Sequence, residues 1–325
     1  MKVFFHVINS VKGGSGKSTF SLLLANYYSH CKSEAAYIID LDIQGTSWKK
    51  NFNQFFENDA GEEPIYINDL MYDFSNGITK NFIWNLKICS KNEPPYVPCW
   101  TIPLCIANPT NNDINEVELD LFENAIRKLI VHLIQKETAK NSEIIHIVFD
   151  MPPSKEKHAE RILNHLLLDN KIHFKDLHSG YVCLYMISAI TPAHIELNVE
   201  YIKNLVLNRS YSNIIVDLIN SDSDKGGFQL FAIANDTSGV LPPKRENDIH
   251  ENIVNALKTS YKKIQFTEDD EKKKFKHFKL LQHLSFTHDK QIVEIVSNMG
   301  NNSDCLIIME DTIGLFENCL KDKET

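Results

Sequence analysis

Residues 7–20, VINSVKGGSGKSTF, combine glycines, lysines and hydroxyl side chains in the pattern of a phosphate-binding loop. Glycines between a strand and a helix let successive backbone N–H groups point at an anion, and the helix N-terminus adds about half a positive charge. Lys17 would reach the outer phosphates of a nucleotide, and Ser18 offers a hydroxyl to Mg²⁺. The predicted nucleotide contacts of this loop are Gly13, Gly14, Ser15, Gly16, Lys17, Ser18 and Thr19.

Carboxylates follow two other apolar runs of the sequence. The run EAAYIIDLD ends in Asp40 and Asp42, and the run EIIHIVFDMPP places Asp150 before two prolines. A carboxylate at a strand end can hold a Mg²⁺-bound water, and phosphoryl transfer depends mainly on positioning and charge compensation. Each run taken alone is also typical of an ordinary turn after a strand. Their occurrence in order with the glycine-rich loop, each at a predicted strand end, favours a nucleotide site.

The elements around these residues alternate between strand and helix. Nearly continuous apolar runs predict buried strands at residues 2–9, 34–42, 97–107, 143–153, 180–189 and 211–221. Helical periodicity follows the first strand over 17–30 and recurs over 116–140 and 191–208. This alternation predicts an α/β fold in which a mostly parallel twisted sheet is flanked by helices. Ligands are then expected at the carboxyl ends of the strands.

The phosphate loop departs from the common pattern G-x-x-x-x-G-K-[ST] at its first position. Val11 stands where the first glycine would be, and Lys12 follows it, which gives K-G-G-S-G-K-S-T. With D-x-D-x-Q-G at 40–45 and D-x-P-P at 150–153, the sequence resembles the ParA/MinD family of ATPases, also called deviant Walker A proteins. The resemblance implies a P-loop NTPase fold of the SIMIBI type.

The resemblance also implies catalytic roles for three residues. Lys12 would reach across a face-to-face homodimer to the nucleotide held by the partner, while Lys17 would serve its own nucleotide. A cation delivered in this way acts like an arginine finger, which is worth about 10³ to 10⁵ in rate. Asp42 would orient or deprotonate the attacking water. The implied reaction is the hydrolysis of ATP to ADP and phosphate.

The same resemblance implies a metal site and a base contact. Ser18, Asp40 and Asp150 would hold or support Mg²⁺ beside the phosphates. Asn220 would contact the adenine from the end of a later strand, although an asparagine that caps a strand end is equally common. The implied cofactors are ATP and Mg²⁺.

Composition limits the class of protein. The 325 residues, 43% of them hydrophobic, suffice for a single domain over 1–325, with long insertions at about 51–95, 110–143 and 221–275. The seven cysteines include no C-x-x-C pair, which predicts reduced thiols in a cytoplasmic protein. No stretch approaches the roughly 20 apolar residues of a membrane helix. The net charge of −9 argues against binding to nucleic acid through overall charge.

The sequence contains few features typical of segments that bind DNA, membranes or other proteins. The run 268–279, EDDEKKKFKHFK, is a weak candidate for DNA binding, because mixed charge runs usually lie on solvated surfaces. The segment 310–325 has an apolar side but carries acidic as well as basic residues, which favours packing on its own domain over a lipid anchor. The predicted partners are a second copy of the chain and an unidentified protein activator or cargo.

The favoured interpretation is a Mg²⁺-dependent ATPase that forms a nucleotide-sandwich homodimer. Such a switch would act in the partitioning or positioning of DNA or of a protein complex. Two alternatives stay open. One is a nucleotide-sensing adaptor with slow turnover that serves a protein partner in a mobile-element or defence system. The other is a small-molecule synthetase or kinase of the same loop class, against which Lys12 counts, because such enzymes need an acceptor pocket more than a lysine in trans.

Overall fold

The computed structural model describes the phosphate loop, a central sheet and helices on both of its faces. The described residues are 1–43, 48, 64–72, 81–89, 99–108, 116–154, 159–163, 179–189, 192–207, 226–235 and 278–281. Within this part of the chain, no helix is both long enough and apolar enough to cross a membrane.

The described strands form one eight-stranded sheet. They are β1 (Lys2–Asn9), β2 (Ala35–Asp40), β3 (Trp84–Cys89), β4 (Cys99–Cys105), β5 (Ile144–Asp150), β6 (Ser179–Ala189), β7 (Gly226–Asn235) and β8 (Phe278–Leu281). Their order across the sheet is β3-β4-β2-β5-β1-β6-β7-β8. Every pairing is parallel except that of β3 with β4, which is antiparallel. The mostly parallel sheet confirms the predicted fold class.

Three α-helices of the described chain flank the sheet. They are α1 (Lys17–Asn26), which a π-helical turn at Tyr27–Cys31 extends, α2 (Glu116–Ala139) and α3 (Pro192–Leu207). A 3₁₀ helix spans Ile67–Tyr72, and a further helical segment covers 159–163. The three helical patterns of the sequence therefore correspond to α1 with its extension, α2 and α3.

Five of the six predicted strands are among the described strands. The first five predicted strands correspond to β1, β2, β4, β5 and β6, whereas the sixth, at 211–221, lies outside the described residues. The sequence did not predict β3, β7 or β8, of which β3 and β7 lie in stretches expected to be insertions. In β3, buried Trp84 and Leu86 alternate with more exposed residues, as in a strand with one wet face, so a search for continuous apolar runs misses it. β7 begins with two glycines, which weaken a strand signal.

The central strand β1 contributes to both halves of the core. Val3, Phe5 and Val7 lie in a cluster with the apolar side of α2, whereas Phe4 and Ile8 lie in a second cluster with α1. Successive side chains of a strand point to opposite faces, and here both faces are covered. The carboxyl end of β1, from which the phosphate loop starts, is therefore fixed from two sides.

A chain of buried polar side chains crosses the α1 side of the sheet. His6 Nδ1 lies 3.1 Å from the Tyr185 hydroxyl, and His6 Nε2 lies 3.0 Å from His146 Nδ1. His146 Nε2 lies 2.7 Å from Glu34 Oε2, and the ring of Tyr28 stacks on His146 at 3.5 Å. With both histidines neutral, every contact has one donor and one acceptor if Tyr185 donates to His6, His6 to His146 and His146 to Glu34. Burial lowers the pKa of His146 to about 3, and burial with the nearby His146 lowers the pKa of His6 well below its ordinary value.

This chain predicts an acid-sensitive fold. In the unfolded chain both histidines take up protons below about pH 6.5, whereas in the folded chain they stay neutral to much lower pH. The free energy of unfolding should therefore fall as the pH drops below about 6.5, by at most about 1.4 kcal/mol per pH unit for each histidine. Burial raises the pKa of Glu34, which offsets part of this loss at the acid end. Urea unfolding followed by circular dichroism over this range measures the slope.

Variants assign the slope to the buried pair. His146→Gln should flatten the pH dependence of the unfolding free energy. His30→Gln, which replaces an exposed histidine, should leave it as in the wild type. An unchanged slope in His146→Gln would mean that other groups cause the acid sensitivity.

Candidate nucleotide-binding site

The phosphate loop turns from β1 into α1 through two glycines with left-handed backbone angles. Gly14 has φ 72°, and Gly16, which immediately precedes α1, has φ 94° and ψ 17°. A side chain at either position would be strained, because residues with a Cβ rarely adopt this region. At Gly14 the positive φ alone accounts for the need for glycine, since a Cβ there would meet no atom within 4 Å. The N–H of Phe20 donates to the Gly16 carbonyl at 2.9 Å and closes the first turn of the helix.

Lys17 and Thr19 begin α1 as buried residues, and Ser15 in the loop is buried as well. Lys17 is only 8% exposed. An ammonium group is seldom buried to this extent unless a negative charge compensates it. The Lys17 charge acts on Asp150, at the end of β5, and lowers the pKa of that carboxyl.

Asp150 carries opposing influences on its ionisation. Its complete burial raises the pKa and is the largest influence, and the charge of Asp42 raises it further. The Lys17 charge and hydrogen bonds from Ser18 and Trp48 act in the opposite direction. The net result is a pKa above the ordinary value for aspartate. Additional positive charge at this position would favour the ionised carboxylate.

The three predicted carboxylates come together because β2 and β5 are parallel neighbours in register. Asp40 and Asp150 are paired residues at the ends of the two strands, and the N–H of Leu41 donates to the Asp150 carbonyl at 2.9 Å. Asp40 is fully buried and accepts the Asp42 N–H on Oδ1 at 3.1 Å. Asp42 itself is half-buried. The ends of β2 and β5 thus supply a cluster of acidic residues near the start of α1.

Trp48 is a site residue that the sequence analysis did not identify. Its indole N–H donates to Asp150 Oδ2 at 2.8 Å, and the whole side chain is buried. A tryptophan three residues beyond D-x-D-x-Q-G gives no periodic signal, because its partner lies 102 positions away in the sequence. Its position immediately after a predicted carboxylate motif is the one available clue.

The residues at this edge of the sheet fit a magnesium ion. Asp150 Oδ1 is buried and accepts no hydrogen bond from the described residues, so one oxygen of a buried carboxylate is left to another partner. Carboxylate and hydroxyl oxygens are the ligands that Mg²⁺ prefers, and it is commonly held by one or two carboxylates together with phosphates. The residues available to hold it are Asp150, Asp40 and Ser18. In the part of the chain described here, no group of three or more His, Cys, Asp or Glu residues forms an all-protein metal site.

The predicted roles of Lys12 and Asn220 are not tested by the described contacts. Lys12 is half-buried at the start of the loop and forms no ion pair with any described residue. Its predicted action on a partner's nucleotide stays a prediction. Asn220 lies outside the described residues, so its predicted adenine contact is likewise untested.

Comparison with known families places this geometry in context. The model of the CobQ/CobB/MinD/ParA nucleotide-binding domain matches residues 6–302. The chain belongs to this family. Membership in the CobQ/CobB/MinD/ParA family confirms the predicted resemblance to ParA/MinD proteins and identifies the loop as part of a nucleotide-binding domain. A comparison with curated proteins found no match.

Several solved structures are similar to the chain at low sequence identity. The ATP complex of a McdA variant from Cyanothece is 11% identical, with 98% of this chain and 96% of that chain covered and a TM-score of 0.49. A putative plasmid partition protein from Borrelia burgdorferi bound to AMPPNP is 16% identical, with 98% of each chain covered and a TM-score of 0.47. Cobyrinic acid a,c-diamide synthase from Mycobacterium smegmatis, with an ATP analogue and magnesium, is 14% identical, with 78% of this chain and 82% of that chain covered and a TM-score of 0.44.

The contact between Trp48 and Asp150 leads to a prediction about stability. Trp48→Phe removes the indole donor and leaves a buried carboxylate with fewer partners, which should cost about 1–3 kcal/mol of unfolding free energy. A double-mutant cycle with Asp150→Ala, measured by urea unfolding, should give a coupling of about 0.5–3 kcal/mol. Additive effects of the two substitutions would show that the hydrogen bond does not stabilise the fold.

Proposed function

We propose that the protein is a Mg²⁺-dependent ATPase that works as a nucleotide-gated homodimer switch. The observation that carries this proposal is the juxtaposition of Lys17, at the start of α1, with Asp150, whose buried Oδ1 lacks a hydrogen-bonding partner among the described residues. A chain of the CobQ/CobB/MinD/ParA family with this arrangement has the groups that phosphoryl transfer requires, namely donors for phosphate oxygens and carboxylates for a metal.

Each group has a distinct part in the proposed reaction. The backbone N–H groups of residues 13–16 and the start of α1 bind the phosphates, and Lys17 compensates their negative charge. Ser18, Asp40 and Asp150 would hold Mg²⁺, whose positive charge would neutralise charge that develops on the phosphate oxygens. Asp42 is half-buried beside Asp150, where it orients the attacking water or accepts its proton. Hydrolysis of ATP then yields ADP and phosphate.

Dimerisation supplies the second lysine in this proposal. Lys12 forms no ion pair with the described residues of its own chain, and its half-exposed position leaves it available to a second copy. ATP would favour the dimer, and hydrolysis would release it. The biological use that we propose is the partitioning or positioning of DNA or of a protein complex, on the strength of the ParA/MinD resemblance.

A small-molecule synthetase or kinase of the same loop class is the competing function. An acceptor-dependent enzyme turns over little without its acceptor. Measurement of phosphate release with ATP and Mg²⁺ alone, and again with added DNA, separates the two functions. Slow basal hydrolysis without any acceptor supports the switch, and a strict requirement for an acceptor contradicts it.

Lys17→Ala should abolish nucleotide binding, because it removes the buried cation that faces the phosphates and Asp150. Titration with a fluorescent ATP analogue measures this loss. The matched control is Lys2→Ala, at the opposite end of β1, which should bind as the wild type does. Retained affinity in Lys17→Ala would show that the loop is not the nucleotide site.

Lys12→Ala and Asp42→Ala should separate binding from turnover. Lys12→Ala should leave nucleotide binding by the monomer intact but reduce dimerisation or lower turnover, by about 10³-fold or more for a lost trans cation. Asp42→Ala should slow hydrolysis while the dimer persists in ATP. Size-exclusion chromatography with ATP and a phosphate-release assay measure both. Wild-type behaviour of Lys12→Ala would exclude the trans lysine, and an unchanged rate in Asp42→Ala would remove Asp42 from the mechanism.

A further inference from the structure

Three parts of the chain meet where β1 ends and the phosphate loop begins. We call this meeting point the Asn9 junction and define it by Asn9, Ser10, Ser154, Asn198 and Tyr201. Asn9 is the last residue of β1 and Ser10 follows it, Ser154 lies in the segment after β5, and Asn198 and Tyr201 belong to α3. Asn9, Ser10 and Asn198 are buried, and the contacts of Asn9 with Ser154 and Tyr201 bridge 145 and 192 positions of sequence. None of them belongs to the predicted nucleotide contacts.

The side chain of Asn9 bonds to all three parts. Its Oδ1 accepts the Ser10 N–H at 2.8 Å and the Ser154 hydroxyl at 2.6 Å, which fills both lone pairs of the amide oxygen. Its Nδ2 donates to the Tyr201 hydroxyl at 3.4 Å. A displacement of Ser154 therefore changes the bonding of a buried amide that also contacts α3.

Ser154 anchors the far end of the segment that starts at Asp150. The near end is held by the N–H of Met151, which donates to the Ile8 carbonyl at 3.1 Å. At the far end, the Ser154 N–H donates to the Ser10 carbonyl at 2.9 Å, and its hydroxyl lies 3.1 Å from the same oxygen. Between them stand two prolines, which have no N–H to donate and a fixed φ. The segment is therefore stiff, and the Ser154 contacts fix its exit.

The same segment and α3 both touch the backbone of the loop. A Cβ built on Gly13 would lie 4.0 Å from Cγ of Pro153, so the proline ring lies beside the loop. On the α3 side, Asn198 Oδ1 accepts the Val11 N–H at 3.3 Å, while Asn198 Nδ2 donates to the His194 carbonyl at 2.9 Å within its own helix. The start of the loop, at Val11 and Gly13, is thus contacted by α3 and by the segment after β5.

We propose that Ser154 is a positioning residue for the hydrolysis step, which acts by fixing Asp150 and the prolines relative to the phosphate loop through the Asn9 junction. The inference rests on the proposed ATPase function and adds a residue to it. Ser154 follows the stiff segment 150–153 and is not one of the predicted nucleotide contacts. Loss of its hydroxyl is therefore expected to disturb the alignment of Asp150 more than the affinity for nucleotide. Small misplacements of catalytic groups are costly, since about 1 Å can reduce a rate about 10²-fold.

The test compares affinity and rate in Ser154→Ala, Ser154→Thr and the wild type. We expect Ser154→Ala to bind a fluorescent ATP analogue within about twofold of the wild type and to hydrolyse bound ATP at least about tenfold more slowly in single turnover. Ser154→Thr keeps the hydroxyl and should recover most of the rate. Ser142→Ala is the matched control, because it also removes a hydroxyl bonded to one side chain, Glu137 Oε2 at 2.7 Å, away from the loop.

The outcomes separate this inference from the proposed function. An active wild type with an unchanged single-turnover rate in Ser154→Ala overturns the positioning role alone, as does a rate loss that Ser154→Thr does not recover. A wild type that neither binds nor hydrolyses ATP overturns both. Thermal melting accompanies each variant. If Ser154→Ala does not fold, Tyr201→Phe removes the acceptor of Asn9 Nδ2 from the α3 side, and it should slow turnover with little change in affinity; an unchanged rate there overturns the role of the junction.

Discussion

A buried carboxylate at the end of β5 sets the conditions that the rest of the site has to meet. Asp150 is withdrawn from water, which favours its neutral form, yet a lysine, a hydroxyl and an indole N–H point their positive ends toward it. Removing one of these partners would cost more unfolding free energy than the contact itself contributes, because the carboxylate would stay buried with fewer hydrogen bonds. The start of α1 and Trp48 are therefore constrained together, although they lie on different segments of the chain.

Parallel register brings the remaining groups to this carboxylate. β1 pairs with β5, and β5 pairs with β2, so their carboxyl ends lie side by side at one edge of the sheet. The loop leaves β1 at that edge, and Asp40 and Asp42 leave β2 there. A one-residue slip between β2 and β5 would turn Asp40 to the other face of the sheet, since strand side chains alternate. The apolar residues that cover both faces thus fix the acidic cluster as well as the fold.

The sequence was informative where chemistry and periodicity are local. The glycine-rich loop, the carboxylates after β2 and β5 and five of the strands follow from runs of adjacent residues, and the family match confirms the fold and family that they indicated. The roles of Lys12, Asp42 and the other site residues stay predictions. Trp48, Asn9 and Ser154 could not be found in this way, because their contacts join residues more than 100 positions apart and depend on which strands become neighbours. Likewise, β3 alternates in burial and carries no continuous apolar run.

Buried polar groups recur along β1, and their positions connect the stability of the sheet with the geometry of the loop. His6 lies in the middle of the strand and Asn9 at its end, three residues apart and therefore on opposite faces. His6 bonds toward His146 beneath α1, whereas Asn9 bonds toward Ser154 and α3. The helix whose first residues face Asp150 continues into the π-helical turn that stacks Tyr28 on His146. Protonation of the histidine pair would put charge beneath the far end of α1, the helix that begins at Lys17.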